Sequence, residues 1–501
     1  MLSKTKAISA GGSTRGGKSM IKDEYYTGKY VNDGSYDDAW REPYWEALRK
    51  EAGGNEEADR IVDALKRLYS MYTYDLIKWY ANLYEPSSGA YYCSTSGKEN
   101  EGFLPDVEST RQGFGFLAAS GLLDEHGKDY RNILTEDMKK NLIRFVKGMQ
   151  MPNGYFYNYL KPVEDVAVPK RGRDLGWCTS FLKDFGEQPT YDTPNGMLGN
   201  GLDKDGNPVA DFKPASPAEG GEEKSGAALN YPEYLESRET MIAYLNENVD
   251  IVGKTYPAGN HLNATFSQYM ARDKAMGWLG TEKSLTKGLI DWLNEKINPE
   301  TGYWAPDFTF NGTNGFFKVI VIYNAWGYAY PAVERAIDSV LAGILGDQPS
   351  TGNICEVYNL WSALISAKEN VLRCYPAEQQ AELISKIDRT MKEKGPEAIL
   401  NTYKKQSGYQ MPDGAYAHHV NRQADPTRIL SHQGPIPTGL FLPEGDVDAI
   451  GKATNGIVSN IFAAYGFKTR VPIYCDKDWQ LYKSIMYSNK PVIKKNTKTY
   501  R

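Results

Sequence analysis

The chain reads Met151-Pro-Asn-Gly-Tyr-Phe-Tyr157 directly after a segment of helical character, and it repeats this phrase three more times with small changes. The proline stops the helix, the polar residues and the glycine suit a tight turn, and one or two aromatic residues follow at a fixed offset. The other copies are Glu85–Tyr92, Asn298–Trp304 and Met411–Tyr416. One loop type that recurs after helices predicts an array of helical hairpins.

The four loops are unequally spaced, which argues against a linear solenoid of identical repeats. Apolar residues recur between them at intervals of three and four, as in Ile61, Leu65, Leu68 and Tyr72, and this period indicates amphipathic helices. Strand-like alternation is scarce. We therefore predict an all-α fold, an (α/α) toroid, which is a closed or incomplete ring of helical hairpins with long loops on one face.

Composition divides the chain into a tail and one domain. Residues 1–22 are rich in Gly, Ser and Lys, which predicts a disordered tail, and residues 23–501 are expected to form a single catalytic domain. At about 198–232 the composition shifts to Gly, Pro, Asp, Glu and Ser. Because this stretch is too long for an ordinary connection, we expect a lid-like insertion that borders a cleft.

The composition also limits the classes of function. The chain has 36 Tyr and 10 Trp against 16 Phe, a bias toward aromatic residues that keep a polar atom at the rim of a cleft, as in many sugar sites. The net charge is −5 and the sequence shows no basic stripe, so nucleic acid is not expected as a partner. No apolar run is long enough for a membrane span and the start shows no secretory signal, so we expect a soluble, cytoplasmic protein.

Two familiar motifs are rejected for lack of context. Gly12-Ser-Thr-Arg-Gly-Gly-Lys-Ser19 matches the P-loop pattern, but no buried strand precedes it and no helix follows it, so no nucleotide cofactor is expected. The five cysteines are odd in number and scattered, which argues against both disulfides and a zinc knuckle. They are interpreted as ordinary reduced thiols.

Two clusters of charged residues stand out. Asp106, Glu108 and Gln112 lie where a loop enters a helix, so they serve either as acid and base or simply as helix-capping residues. Arg171 and Arg173 lie beside Trp177 in a chain of negative net charge. This basic cluster either meets an anionic ligand, such as a uronate carboxylate, or belongs to a solvated network of ion pairs.

Further candidates combine polar and aromatic side chains. His261 stands among amides that include Asn263, and Lys318 precedes Tyr323 and Asn324 in an otherwise apolar segment. The repeated loops are expected to offer aromatic rings to substrate, and the residues chosen are Tyr155, Tyr157 and Trp304. His418 and His419, with His432, could suggest a metal, but adjacent residues on a strand point in opposite directions, so no metal is predicted.

The repeated loops, together with Gly259–Asn263 and Lys318–Tyr323, resemble the (α/α)-barrel polysaccharide lyases of the glucuronan and alginate lyase type. This resemblance implies β-elimination on a uronic-acid-containing glycan, with no cofactor. It implies Tyr323 as acid and base, and His261 as helper base or neutralising group. Its remaining implied residues neutralise the substrate carboxylate, namely Asn195, Asn263, Arg173 and Lys318.

Two other functions stay open. A glycoside hydrolase on the same ring would use a pair of carboxylates, Asp106 or Glu108 with Asp413. A noncatalytic glycan-binding protein would keep the aromatic loops without any acid and base. His418 and His419 are counted among the residues that contact the glycan.

Overall fold

The computed structural model describes residues 36–212, 230–306, 308–346, 353–419 and 444–499. It is 60% helix and 4% strand, which confirms the all-α prediction. The predicted tail and the P-loop match lie outside the described residues, and so does the middle of the predicted lid. In the described part of the chain, no helix combines the length and the apolar character that a crossing of the lipid bilayer requires.

The helices follow one another along the chain with few strands between them. In order they are α1 (Glu42–Glu51), α2 (Glu56–Tyr69), α3 (Tyr74–Asn82), α4 (Thr95–Glu99), α5 (Val107–Ala119), α6 (Glu136–Gly148), α7 (Val168–Asp184), α8 (Arg238–Asn248), α9 (Thr255–Met276), α10 (Leu285–Asn294), α11 (Phe310–Trp326), α12 (Val333–Leu345), α13 (Cys355–Cys374), α14 (Ala377–Ser407), α15 (Val447–Gly451), α16 (Ile457–Tyr465) and α17 (Asp476–Met486). A π-helical segment, Lys452–Gly456, joins α15 to α16. Short 3-10 helices cover Ala39–Arg41, Asp124–His126, Tyr130–Ile133, Val163–Asp165 and Glu233–Leu235. The strands β1 (Tyr84–Glu85) and β2 (Ala90–Tyr91) pair antiparallel.

Alternate helices pack on one another in succession. Helix α7 packs against α5 and α9, and α11 packs against α9 and α13. Helix α13 packs in turn against α16, and α15 packs against α5. The remaining long helices lie against this series, with α6 on α7, α10 on α9, α12 on α13, and α14 on both α13 and α2.

Glycines allow the backbones of α7, α9 and α11 to approach closely. A Cβ atom at Gly172 of α7 would lie 2.2 Å from the carbonyl oxygen of Ala264 in α9. A Cβ atom at Gly315 of α11 would lie 2.4 Å from the carbonyl oxygen of Thr255 in α9. Both distances are far below van der Waals contact, so these helix crossings require a residue without a side chain.

The four repeated loops form the tight turns that the sequence predicts. Their glycines all adopt the left-handed conformation, with φ of 68° at Gly89, 80° at Gly154, 75° at Gly302 and 82° at Gly414. In each loop the glycine N–H donates to a carbonyl three or four residues earlier, as from Gly154 to Met151 at 2.8 Å. Gly89 abuts the backbone of α6, Gly302 that of α12, and Gly414 that of α3.

Most of the aromatic residues of these loops point into the core. Side chains of Tyr91, Phe156, Tyr157, Tyr303, Trp304 and Tyr416 are fully buried. Trp304 is buried in the core and lines none of the pockets described below, so the expectation that it contacts substrate is not met. Three of the four loops thus pack against a helix, and their buried aromatic residues contribute to the core.

Gly315→Ala should destabilise the protein by about 1–3 kcal/mol, because the new methyl group forces α9 and α11 apart. Urea unfolding followed by circular dichroism measures the change. Gly115→Ala is the matched control: this helical glycine has no atom within 4 Å of a Cβ position, so alanine should raise stability by up to about 1 kcal/mol. Equal stability of the two variants would contradict the close crossing.

Candidate functional site

One large pocket of about 900 Å³ lies among α5, α7, α9, α11, α13 and the α15–π segment. Each of these elements contributes residues to the wall of the pocket, so the pocket lies where the helices of this series meet. Its walls combine cationic, amide and aromatic groups. We call it the main pocket.

Helix α5 contributes Glu108 and Gln112, which lie one turn apart and face the main pocket. Glu108 is fully buried and forms an ion pair with Arg173 of α7. Asp106 has a different role, since its carboxylate accepts a hydrogen bond from the Ser109 N–H at 2.8 Å and caps α5. Of the acidic pair in the predicted cluster, Glu108 lines the pocket and Asp106 does not.

Helix α7 presents Arg173, Trp177 and Ser180 to the main pocket at spacings of three and four residues. Arg171 lies on another side of the same helix, where its Nε donates to the Val166 carbonyl at 2.7 Å. The predicted basic cluster is thus divided by the helical period. Only Arg173 and Trp177 reach the main pocket.

Amide side chains come from α9 and from the turn after α7. Asn260 and Asn263 line the main pocket from α9, and the Asn263 amide donates to the Lys318 carbonyl at 3.0 Å. Asn195 lines the same pocket from a turn, where its amide donates to the Thr179 hydroxyl at 2.9 Å. Two of the predicted carboxylate partners, Asn195 and Asn263, therefore meet in one site.

Lys318 reaches the main pocket from α11. The pKa of Lys318 is lowered to about 8, mainly by burial. The positive charges of Arg173 and Lys452 also lower this pKa, whereas Cys355 and Asp448 raise it. Among the described residues, Lys318 forms no ion pair within 4 Å, unlike Arg173 and Lys452. An amine with this pKa exchanges a proton near neutral pH.

Sequence reasoning missed the α15–π segment. Asp448 and Lys452 both line the main pocket and form an ion pair, and the Gln112 amide donates to Asp448 at 3.1 Å. In the sequence this stretch resembles part of an apolar helix. Its two charged residues, four positions apart, are the feature that indicates an ion pair on one face of that helix. The π-helical turn that carries Lys452 is a feature that commonly marks functional sites.

Three candidates lie in the core instead of the pocket. Tyr323 is fully buried, and its hydroxyl donates to Asn294 at 2.7 Å. The amide of Asn324 donates to the Ser366 carbonyl at 2.9 Å, and the indole N–H of Trp304 donates to the Leu293 carbonyl at 2.9 Å. Their polar atoms thus have partners within the core, and the placement of Tyr323 does not suit an acid and base.

A second pocket of about 280 Å³ is lined by Tyr155, Tyr157 and Arg171. Tyr155 donates to the side-chain oxygen of Gln268 at 2.5 Å. His261 lies outside the lining of both pockets, with its Nε2 3.2 Å from the hydroxyl of Tyr244. Burial lowers the pKa of His261 to about 4, so its imidazole is neutral at pH 7.

His418 and His419 are not in the lining of the main pocket, but His418 contacts Asp448, which is. The Nδ1 atom of His418 is 3.0 Å from Nε2 of His419, and its Nε2 atom is 3.4 Å from the Asp448 carboxylate. Within the described ranges, no group of three or more His, Cys, Asp or Glu side chains is arranged to hold a metal ion. His432 is outside the described residues, and Asp413 lies in the exposed turn of the fourth loop.

Glu108→Gln should lower the free energy of unfolding by about 1–3 kcal/mol, because it leaves the partly buried Arg173 without its carboxylate. Thermal and urea unfolding both measure this loss. In the control, Glu136→Gln removes an exposed ion pair with Lys139 and should change stability by less than about 1 kcal/mol. A loss at Glu108 no greater than at Glu136 would mean that the pocket pair contributes nothing.

Neither a protein-family model nor a curated protein sequence matches this chain. The chemistry of the side chains that meet in the main pocket is therefore the basis for assigning a function. The main pocket brings together Glu108, Gln112, Arg173, Trp177, Asn195, Asn263 and Lys318 from the sequence-based candidates.

Proposed function

We propose that this protein is a polysaccharide lyase that cleaves an anionic, uronic-acid-containing glycan by β-elimination in the main pocket. One observation carries the proposal: Lys318, an amine with a pKa lowered to about 8, faces a pocket that it shares with Arg173 and Lys452. Cations beside amides suit a carboxylate ligand. The volume of about 900 Å³ suits several sugar rings.

The reaction needs a base near the C5 proton of the uronate, a proton donor to the departing O4 oxygen, and neutralisation of the carboxylate. We assign the base to Lys318, in place of the buried Tyr323. Arg173, Asn195 and Asn263 hold the carboxylate, so that negative charge developing at C5 is stabilised. Tyr358, the tyrosine that lines the main pocket, donates the proton to O4.

Aromatic walls complete the site. Trp177 and Phe317 line the main pocket from α7 and α11, and Phe266 lines it from α9. The apolar faces of sugar rings stack on such side chains, so these residues would hold the chain while the polar groups act on one uronate. In this proposal the side chains that stack on the sugar rings belong to helices and not to the repeated loops.

We propose in addition that the fold is an (α/α) toroid. The series α5, α7, α9, α11, α13 and α15–α16 returns to α5 through contacts between neighbours, which supports an inner ring of six segments. The main pocket would then occupy the centre of this ring. A cytoplasmic location and the absence of a nucleic-acid partner also belong to the proposal, on the composition of the chain.

A glycoside hydrolase is the second candidate, because two carboxylates, Glu108 and Asp448, face the same pocket. A hydrolase requires one carboxyl group that holds a proton for the leaving oxygen. Each of these carboxylates is instead ion-paired, Glu108 with Arg173 and Asp448 with Lys452. An ion pair favours the charged form, which makes the lyase the better assignment.

Screening on uronate polysaccharides separates the functions. A lyase produces an unsaturated sugar that absorbs ultraviolet light together with each new reducing end. New reducing ends without that absorbance would identify the hydrolase. Binding without either product would identify a glycan-binding protein and overturn the enzyme assignment.

Lys318→Met should lower kcat by about two to four orders of magnitude, because methionine fills the same space but cannot accept a proton. Wild-type activity should rise as the pH passes upward through about 8, since the base acts in its neutral form. Lys183→Met, which also removes a cation from the pocket lining, is the control and should leave kcat within about tenfold. Equal losses in both variants would reduce Lys318 to a general electrostatic role.

Tyr358→Phe should lower kcat about a hundredfold or more, because the ring remains but the proton donor is lost. Tyr323→Phe is the matched comparison. It removes one buried hydrogen bond to Asn294, so it should cost about 1 kcal/mol of stability and leave turnover nearly unchanged. Turnover that is lost in Tyr323→Phe and retained in Tyr358→Phe would reverse the two assignments.

A further inference from the structure

Cys355 begins α13, and its thiol is part of a cluster behind the main pocket. The sulfur lies 3.7 Å from Nε2 of His418, and the residue is only 3% exposed. Tyr358, three positions further along α13, lines the main pocket. Residues three apart share one face of a helix, so Cys355 lies on the side of α13 that faces the pocket.

Charged and titratable groups surround this thiol from every neighbouring element. Lys318 faces it from α11, Lys452 from the π segment, and Asp448 from α15. Tyr256 of α9 forms a hydrogen bond with it. Lys318, Lys452 and His418 are the cationic groups of this cluster, Asp448 is the carboxylate beside them, and Asp446 adds a negative charge that acts on His418.

This charge balance favours the ionised thiol. Burial would raise the pKa of Cys355, but Lys452 and His418 outweigh burial and lower that pKa to about 7. Burial would lower the pKa of His418, but the neighbouring Cys355 and Asp448 outweigh it and raise that pKa to about 9. A lowered pKa at Cys355 and a raised pKa at His418 together favour a thiolate beside an imidazolium.

The position of Cys355 in the helix acts in the same sense. As the first residue of α13 it lies at the positive end of the helix dipole, and its own N–H donates to the Asn353 side chain at 2.8 Å. A thiolate at a helix N-terminus with a cationic partner is the environment of reactive cysteines. Here both conditions meet at one residue.

We propose that Cys355 and His418 form a thiolate–imidazolium pair that makes Cys355 the site at which peroxides and other small electrophiles modify this chain. A peroxide is the co-reactant. The sulfur attacks one peroxide oxygen, an S–O bond forms and the O–O bond breaks. The product is a sulfenic acid, the sulfur is oxidised by two electrons, and hydroxide leaves and takes a proton to become water.

Another buried cysteine provides the internal contrast. Cys93 is as buried as Cys355, but its neighbours are the carboxylates Asp106, Asp446 and Glu444. Burial and these negative charges raise the pKa of Cys93 well above its usual range. Burial is thus shared by the two thiols, and the charge of the surroundings distinguishes them.

Alkylation of the native protein with iodoacetamide tests the proposal, with each cysteine peptide quantified by mass spectrometry. Cys355 should react faster than Cys93, and its rate should reach half of its maximum near pH 7, well below the value of about 8.5 for an ordinary thiol. Hydrogen peroxide followed by dimedone should add dimedone at Cys355 in preference to the other cysteines. Neither readout requires a glycan, so both are independent of the proposed function.

Variants test the partner. His418→Gln and Lys452→Met should each slow alkylation of Cys355 at pH 7 by about tenfold, because the thiolate fraction falls as the pKa rises toward about 8.5. His126→Gln, at a distant 3-10 helix, is the control and should change nothing. The proposal fails if Cys355 reacts no faster than Cys93, if its rate follows the pH profile of an ordinary thiol, or if both folded variants react like wild type.

Discussion

The close crossing of α7, α9 and α11 is the constraint on which the main pocket depends. Gly172, Gly259 and Gly315 lie at these crossings, and a Cβ atom at any of them would lie within 3 Å of backbone on the neighbouring helix. Each glycine is also close in sequence to a pocket residue, since Gly172 precedes Arg173, Gly259 precedes Asn260, and Gly315 lies one turn before Lys318. The contact that sets the helix spacing therefore also sets where the polar side chains meet.

Charge is distributed unevenly around this centre. Two cations are held by carboxylates from the same pocket, Arg173 by Glu108 and Lys452 by Asp448. These pairs compensate part of the cost of placing charges away from water. Lys318 has an unfavourable environment for its charge, which is why its proton is held more weakly. The three cations of this site thus differ in their electrostatic surroundings.

Much of the fold could be predicted from the sequence, but only part of the site. The apolar period identifies helices, and the turn chemistry identifies the left-handed glycines, because both depend on nearby residues. The spacing of apolar residues does not show which inward side chain lines a pocket and which is buried in the core. It therefore does not distinguish Lys318, which lines the main pocket, from Tyr323, which is buried in the core. The number and spacing of the cysteines do not single out Cys355, since its partners His418 and Lys452 are brought near it only by the tertiary structure.

The packing of the first helices against the last ones has a consequence for how the chain folds. The hydroxyl of Tyr72 donates to the Ala453 carbonyl, 381 residues further along the chain, and α3 packs on α17. Contacts of such separation form late, because the intervening chain must first be brought together. During synthesis the face of α3 that packs on α17 stays uncovered until α17 has left the ribosome, and in that interval it is exposed to aggregation and to chaperones.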